Sequence, residues 1–244
     1  MRILILFLFY SLSISCHKSE DNPSGTLKLN FNGHFGTLPF NALQSYAYTG
    51  NQSIKFSKVD FYITGIQLVS STETIQLNQH ALIDLTSSSN NTFPLTLTGI
   101  KQGEYQSIRI SIGVTSDLNK KLPKDFNSAD PLSSTSHYWD TWNSFIFSKM
   151  EGVLDTSGTK TYDLGFAVHT GTDQCLQSLN IQKQFSISDN AETSLNLDVD
   201  IKSVFTASGQ FYDLVKSPLN HNPTNIETLK AFSERLATSI QLKN

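Results

Sequence analysis

Hydrophobic residues alternate with polar ones along most of the chain. Leu27, Leu29 and Phe31 form one such run, Phe93, Leu95 and Leu97 a second, and Ile108, Ile110 and Ile112 a third. Tyr162, Leu164, Phe166 and Val168 form another, and in the last Leu195, Leu197, Val199 and Ile201 are interleaved with Asn196, Asp198 and Asp200. Successive side chains of a strand point to opposite faces, so each run predicts a strand with one buried and one wet face, the pattern of antiparallel sheets. Turn sequences separate the runs, among them Ser88-Ser89-Asn90-Asn91, Lys101-Gln102-Gly103 and Thr156-Ser157-Gly158. Their spacing predicts an all-β fold, an antiparallel β-sandwich. Near the C-terminus the period changes. Ile226, Leu229, Phe232, Leu236 and Ile240 recur at helical spacing behind the capping box Thr224-Asn225-Ile226-Glu227, which predicts one amphipathic helix packed on the sandwich. One long inserted loop, residues 116–141, lacks a strand pattern and contains Pro123 and Pro131. Connections of that length in a compact domain are usually functional or mobile.

A chain of 244 residues can bury a sizeable core, and no break in composition divides it, so a single β domain is expected. The net charge is -3 and the 18 basic residues are scattered, which leaves no positive stripe for a phosphate backbone and argues against a nucleic-acid partner.

Residues 1–15 read as a signal peptide, with Arg2 ahead of an apolar stretch from Ile3 to Phe9 and small residues Ser13 and Ser15 before Cys16. The stretch is far shorter than the roughly 20 residues of a spanning helix, so membrane attachment is expected through a lipid anchor only. Leu12-Ser13-Ile14-Ser15-Cys16 is similar to a bacterial lipobox with its leucine one position early. Lipidation of Cys16 is the favoured reading, and ordinary cleavage after Ser15 is the alternative. Residues 16–25 are polar and read as a tether, followed by the domain at 26–244. With Cys16 lipidated, Cys175 has no partner for a disulfide, and a lone cysteine is more often a small buried hydrophobe than a ligand.

The two tryptophans, Trp139 and Trp142, close the long loop beside His137 and Tyr138. Imidazole suits copper, and an indole can shield such an ion, although two tryptophans three apart also make ordinary core anchors. Histidines come singly, and no His-x-His or His-Glu-x-x-His motif signals a zinc protease. His34 and His169 fall where strand meets loop, and His221 lies between the last strand and the helix, positions from which sandwich loops bring ligands together. A nucleophile elbow, a P-loop and a dinucleotide fingerprint are absent. The carboxylates Asp198 and Asp200 share a strand face, and solvent exposure explains that better than acid–base chemistry.

Several short segments, in order, resemble one family. They are Phe61-Tyr62-Ile63-Thr64-Gly65-Ile66, Gly103-Glu104-Tyr105, Ile112-Gly113-Val114, Trp139-Asp140-Thr141-Trp142, Phe147, Glu151-Gly152 and His169-Thr170-Gly171. Each is weak alone, but their order and spacing resemble the MbnP-like copper-binding proteins, exported β-sandwich lipoproteins of the Bacteroidetes type. The resemblance implies copper bound through histidines, a tryptophan oxidised to kynurenine in some members, and a di-haem peroxidase-like partner. Carried onto this chain, it implies His34, His169 and His221 as ligands with His137 as a substitute, and Trp139 and Trp142 as shielding or modified aromatics. The expectation is a copper sequestration or delivery protein, periplasmic or cell-surface, that is not an enzyme. The alternative is a surface module binding carbohydrate or protein on an aromatic platform of Tyr138, Trp139 and Trp142; a third reading is a purely structural lipoprotein. Converging imidazoles near the tryptophans favour metal, whereas a flat exposed aromatic surface favours a glycan.

Overall fold

The computed structural model describes residues 23–87, 89–207 and 209–243. The expected signal peptide, Cys16 and all but the last three residues of the tether lie outside these residues. The main strands are β1 (Ser24–Phe35), β2 (Ser53–Val69), β3 (Ala81–Asp84), β4 (Thr92–Lys101), β5 (Gly103–Ile112), β6 (Tyr138–Trp139) and β7 (Ser144–Asp155). They continue with β8 (Leu164–Gly171), β9 (Gln177–Ile187), β10 (Glu192–Asp200) and β11 (Leu219–Asn220), then helix α1 (Ile226–Ser239) and β12 (Ile240–Leu242).

Two sheets face each other. One runs β12-β10-β1, with β4 also on β1; the other runs β9-β5-β2-β7-β8-β11, with β3 on β2 and β6 on β7. The alternating residues of the sequence line the space between them: Leu27, Leu29, Phe31, Leu97, Ile108, Val168, Leu197 and Val199 are all buried. At one end the core is aromatic, where Phe56 touches the rings of Phe35, Phe40, Phe166 and Phe205, and Phe205 touches Phe232 of α1. This is the expected β-sandwich. Among the described residues, no helix is long and apolar enough to cross a membrane.

The sheets are mixed instead of purely antiparallel. β1 pairs with β10 in parallel from Thr26↔Glu192 to His34↔Asp200, and β8 pairs with β11 in parallel. Alternation of period two reports which face is buried and is the same for both directions. Direction follows from the connections, and the long chain between β1 and β10 supplies the crossover that a parallel pair requires.

Two further details depart from the sequence pattern. Helix α1 buries Leu229, Phe232 and Leu236 as expected, but Asn225 at its N-cap makes no side-chain cap, so the capping box does not form. Asn222 instead accepts from the Thr224 amide and closes a 3-10 turn, Pro223–Asn225, before the helix. Ile240, read as helical, opens β12. The long connection is also more ordered than its composition suggests: a short helix, Ser116–Asn119, three 3-10 turns and β6 occupy it. Buried Asn119 ties it to the sheet by accepting from the Phe145 amide at 2.9 Å, and the Tyr62 hydroxyl donates to the Pro131 carbonyl at 2.8 Å.

Candidate metal site

The parallel pairing of β8 with β11 builds the site. Its register sets Val168 beside Asn220, so His169 in β8 and His221, the residue that follows β11, emerge side by side at the sheet's edge. Their ring centroids lie 5.9 Å apart. The long connection arrives over them through β6, which pairs Trp139 with Ser144 of β7. Trp139 sits 5.5 Å from the His169 ring and 5.6 Å from the exposed His221 ring, so one indole contacts both imidazoles at a tilt. Trp142 backs Trp139 at 4.3 Å with a 51° tilt. It rests against the backbone of Gly171, where an added Cβ would stand 3.4 Å from the indole and 2.8 Å from the Phe145 carbonyl oxygen. Glycine keeps that surface flat.

The electrostatics favour a neutral His169. Its side chain is 14% exposed, and its Nε2 lies 2.7 Å from Oε1 of Glu151. The other nitrogen, Nδ1, is buried with no hydrogen-bond partner. Burial pulls the pKa of His169 below the ordinary histidine value, and the Glu151 carboxylate opposes the shift without reversing it. Opposite His169 on β7 stands Lys149, whose ammonium is likewise pulled down by burial and donates to the Ser136 carbonyl at 2.6 Å. A neutral imidazole presenting a buried, unpartnered nitrogen beside a second imidazole is a donor set that suits copper. Among the described residues, no group of three or more His, Cys, Asp or Glu side chains converges that could hold a metal ion.

The remaining predicted residues lie elsewhere. His137 is buried, with its Nε2 donating to Oδ2 of Asp60 at 3.0 Å and its Nδ1 3.2 Å from the Ser136 hydroxyl. Both nitrogens are thus engaged, and the residue reads as an anchor for the segment leading to Trp139 instead of a substitute ligand. His34 belongs to the other sheet. Its Nδ1 donates to the Gly36 carbonyl at 2.7 Å, and it lines a cavity of about 620 Å³ with Asp198, Asp200 and Arg235. The structure does not bring it to the imidazole pair, because the end of β1 is set beside Asp200 by the parallel register. Cys175 is buried, and burial pushes its thiol pKa up, as expected of a packed cysteine. Asp200 caps the turn at Ile201–Val204 by accepting from the Lys202 amide, and Asp198 accepts from Asn32.

Sequence reasoning gives no role to Glu151, Lys149 or Asp60. The strand registers align Asp84, Asp60, Lys149 and His169 in one row across β3, β2, β7 and β8. The signal for Asp60 was present: a carboxylate inside the apolar run Val59-Asp60-Phe61-Tyr62-Ile63. Glu151 falls in the segment Glu151-Gly152 that resembles the family, but its place beside His169 follows only from the strand pairing. The aromatic platform of the alternative reading does not form as a flat face, because Trp139 and Trp142 are tilted on each other and Tyr138 packs edge-on against Phe145 at 5.1 Å.

Fold and site together define a β-sandwich protein with an imidazole pair in contact with a tryptophan at one sheet edge. The MbnP family profile matches residues 24–226, and the chain belongs to that family. Among solved structures, MbnP from Methylosinus trichosporium is similar, with a TM-score of 0.51 and 13% identity over 75% of this chain and 78% of that one. At that identity the likeness concerns the fold. A comparison with curated protein sequences gives no match. The membership meets the expectation drawn from the short motifs and places the chain in a copper-associated family.

Proposed function

We propose that this protein binds copper as cargo, for sequestration or delivery, with His169 and His221 as the donors and Trp139 in contact with both. The buried Nδ1 of His169, free of any hydrogen bond while Nε2 is held by Glu151, is the observation that carries the reading. Two imidazoles match copper(I), a soft ion content with few ligands, better than zinc, which is usually held by four. An indole in contact with both rings would add attraction for a cation bound against its face. The protein performs no turnover of its own in this reading. It is exported by its N-terminal segment and held to the periplasmic or outer surface by lipid on Cys16. A di-haem peroxidase-like protein is the proposed partner, with Trp139 or Trp142 the residue it would oxidise.

Copper that binds only the folded state raises its stability by mass action, about 2.7 kcal/mol at a free concentration one hundred times the Kd. For a domain of this size that is a melting temperature higher by roughly 5–11 °C. Thermal unfolding with and without copper(I) under reducing conditions tests this. The expected rise disappears in His169→Ala; no rise in the wild-type protein overturns the reading.

A further inference from the structure

The structure assigns Glu151 as the positioning residue that selects which nitrogen of His169 faces the ion. The inference rests on the copper reading and deepens it. In the ladder between β7 and β8, Lys149 stands opposite His169 and Glu151 opposite Ala167, so Glu151 is the diagonal neighbour of His169 on the same face of the sheet. Diagonal pairs are within reach of long side chains. The carboxylate closes that distance to 2.7 Å at Nε2.

An ionised carboxylate only accepts hydrogen bonds, so the proton of neutral His169 must be on Nε2. The lone pair is then on Nδ1, the atom the structure leaves buried and unpartnered. The opposite tautomer would set an imidazole lone pair against a carboxylate lone pair and bury an unsatisfied N–H, two costs of about 1–3 kcal/mol each. Glu151 therefore prepares one donor atom before an ion arrives. Carboxylates behind ligating imidazoles fix tautomer and orientation in this way, and their loss typically weakens metal binding about 10- to 100-fold.

Long-range proton–nitrogen correlation spectra of the intact metal-free protein read the tautomer of His169 directly, the signal being assigned by its loss in His169→Ala. Wild type should show a single Nε2–H form. In Glu151→Gln the amide can accept through its oxygen or donate through its nitrogen, so the Nε2–H preference weakens while the ring stays hydrogen-bonded, and copper(I) affinity in a competition titration falls less than in Glu151→Ala. In Glu151→Ala the tautomer becomes mixed and affinity falls about 10- to 100-fold. An Nδ1–H form in wild type, or an unchanged tautomer in Glu151→Ala, overturns the proposal. So does a Glu151→Gln protein that loses copper as fully as His169→Ala, which would make the carboxylate itself a ligand. A fixed, Glu151-dependent tautomer in a wild-type protein that takes up no copper upholds the positioning role and overturns the copper reading alone.

Discussion

Replacing His137 by alanine separates an anchoring histidine from a ligating one. The imidazole is buried and donates to Asp60, a carboxylate with no solvent exposure at all. The second oxygen of Asp60 has no hydrogen-bond partner, so the group depends on His137 and on Lys58, whose ammonium lies 3.2 Å away. Losing a hydrogen bond to a charged group costs about 1.5–3 kcal/mol. The ring also packs edge-on against Tyr62 at 5.7 Å, and the void left behind adds to the loss. Removing one partner from a buried pair costs about 3–5 kcal/mol, and the retained Lys58 contact places this case near the lower end, at about 3 kcal/mol. For a domain of this size that is roughly 6–12 °C in melting temperature. Urea unfolding of wild type, His137→Ala, Asp60→Asn and the double variant measures both the loss and the coupling. Copper stoichiometry should survive in folded His137→Ala, because the ring's nitrogens are already engaged. A loss below about 0.5 kcal/mol, the range of ordinary surface substitutions, would refute the anchoring argument. Loss of copper from a variant of unchanged stability would restore His137 as a ligand.

Three other outcomes follow from the geometry. Gly171→Ala forces a Cβ to within 2.8 Å of the Phe145 carbonyl and into contact with Trp142, so it should cost about 1–3 kcal/mol and change tryptophan fluorescence; an unaltered spectrum would contradict the packing. Trp139→Leu should keep one copper per chain but weaken binding about fivefold, the effect of losing a cation–π contact of about 1 kcal/mol, as read by chelator competition; unchanged affinity would exclude that contribution. Asp84 is partly buried, which by itself raises its pKa, but the Lys58 ammonium at 2.7 Å and the Thr86 hydroxyl outweigh burial and hold it below the usual carboxylate range. Its contribution to stability is present above about pH 4 and is lost as pH falls through the lowered folded value. The stability gap between wild type and Asp84→Asn should therefore be widest near neutrality and narrow in acid; a gap independent of pH would contradict the assignment.

The strands and the helix were legible because burial leaves a periodic trace. Leu195, Leu197 and Val199 alternate in the chain and lie buried in one strand. Strand direction leaves no such trace, and the site depends on it. His169 and His221 are recognisable as strand-end residues, but only the parallel register at Val168 and Asn220 sets them side by side. That same kind of register carried His34 to Asp200 and away from the pair. Loop position alone could not distinguish these cases, since all three histidines lie at strand ends. His137 beside the tryptophans looked like a ligand by proximity in sequence, yet its ring turns into the sheet toward Asp60, a residue 77 positions distant. The role of Glu151 was hidden for a related reason: a carboxylate on a strand is ordinary until its diagonal neighbour is known.

The ratio of copper to protein tests the paired-imidazole site most directly. Wild type loaded with copper(I) and freed of excess metal should retain one copper per chain, and folded His169→Ala and His221→Ala should each retain essentially none. Copper kept by either variant at the wild-type ratio, or absent from the wild type, would contradict the paired-imidazole site.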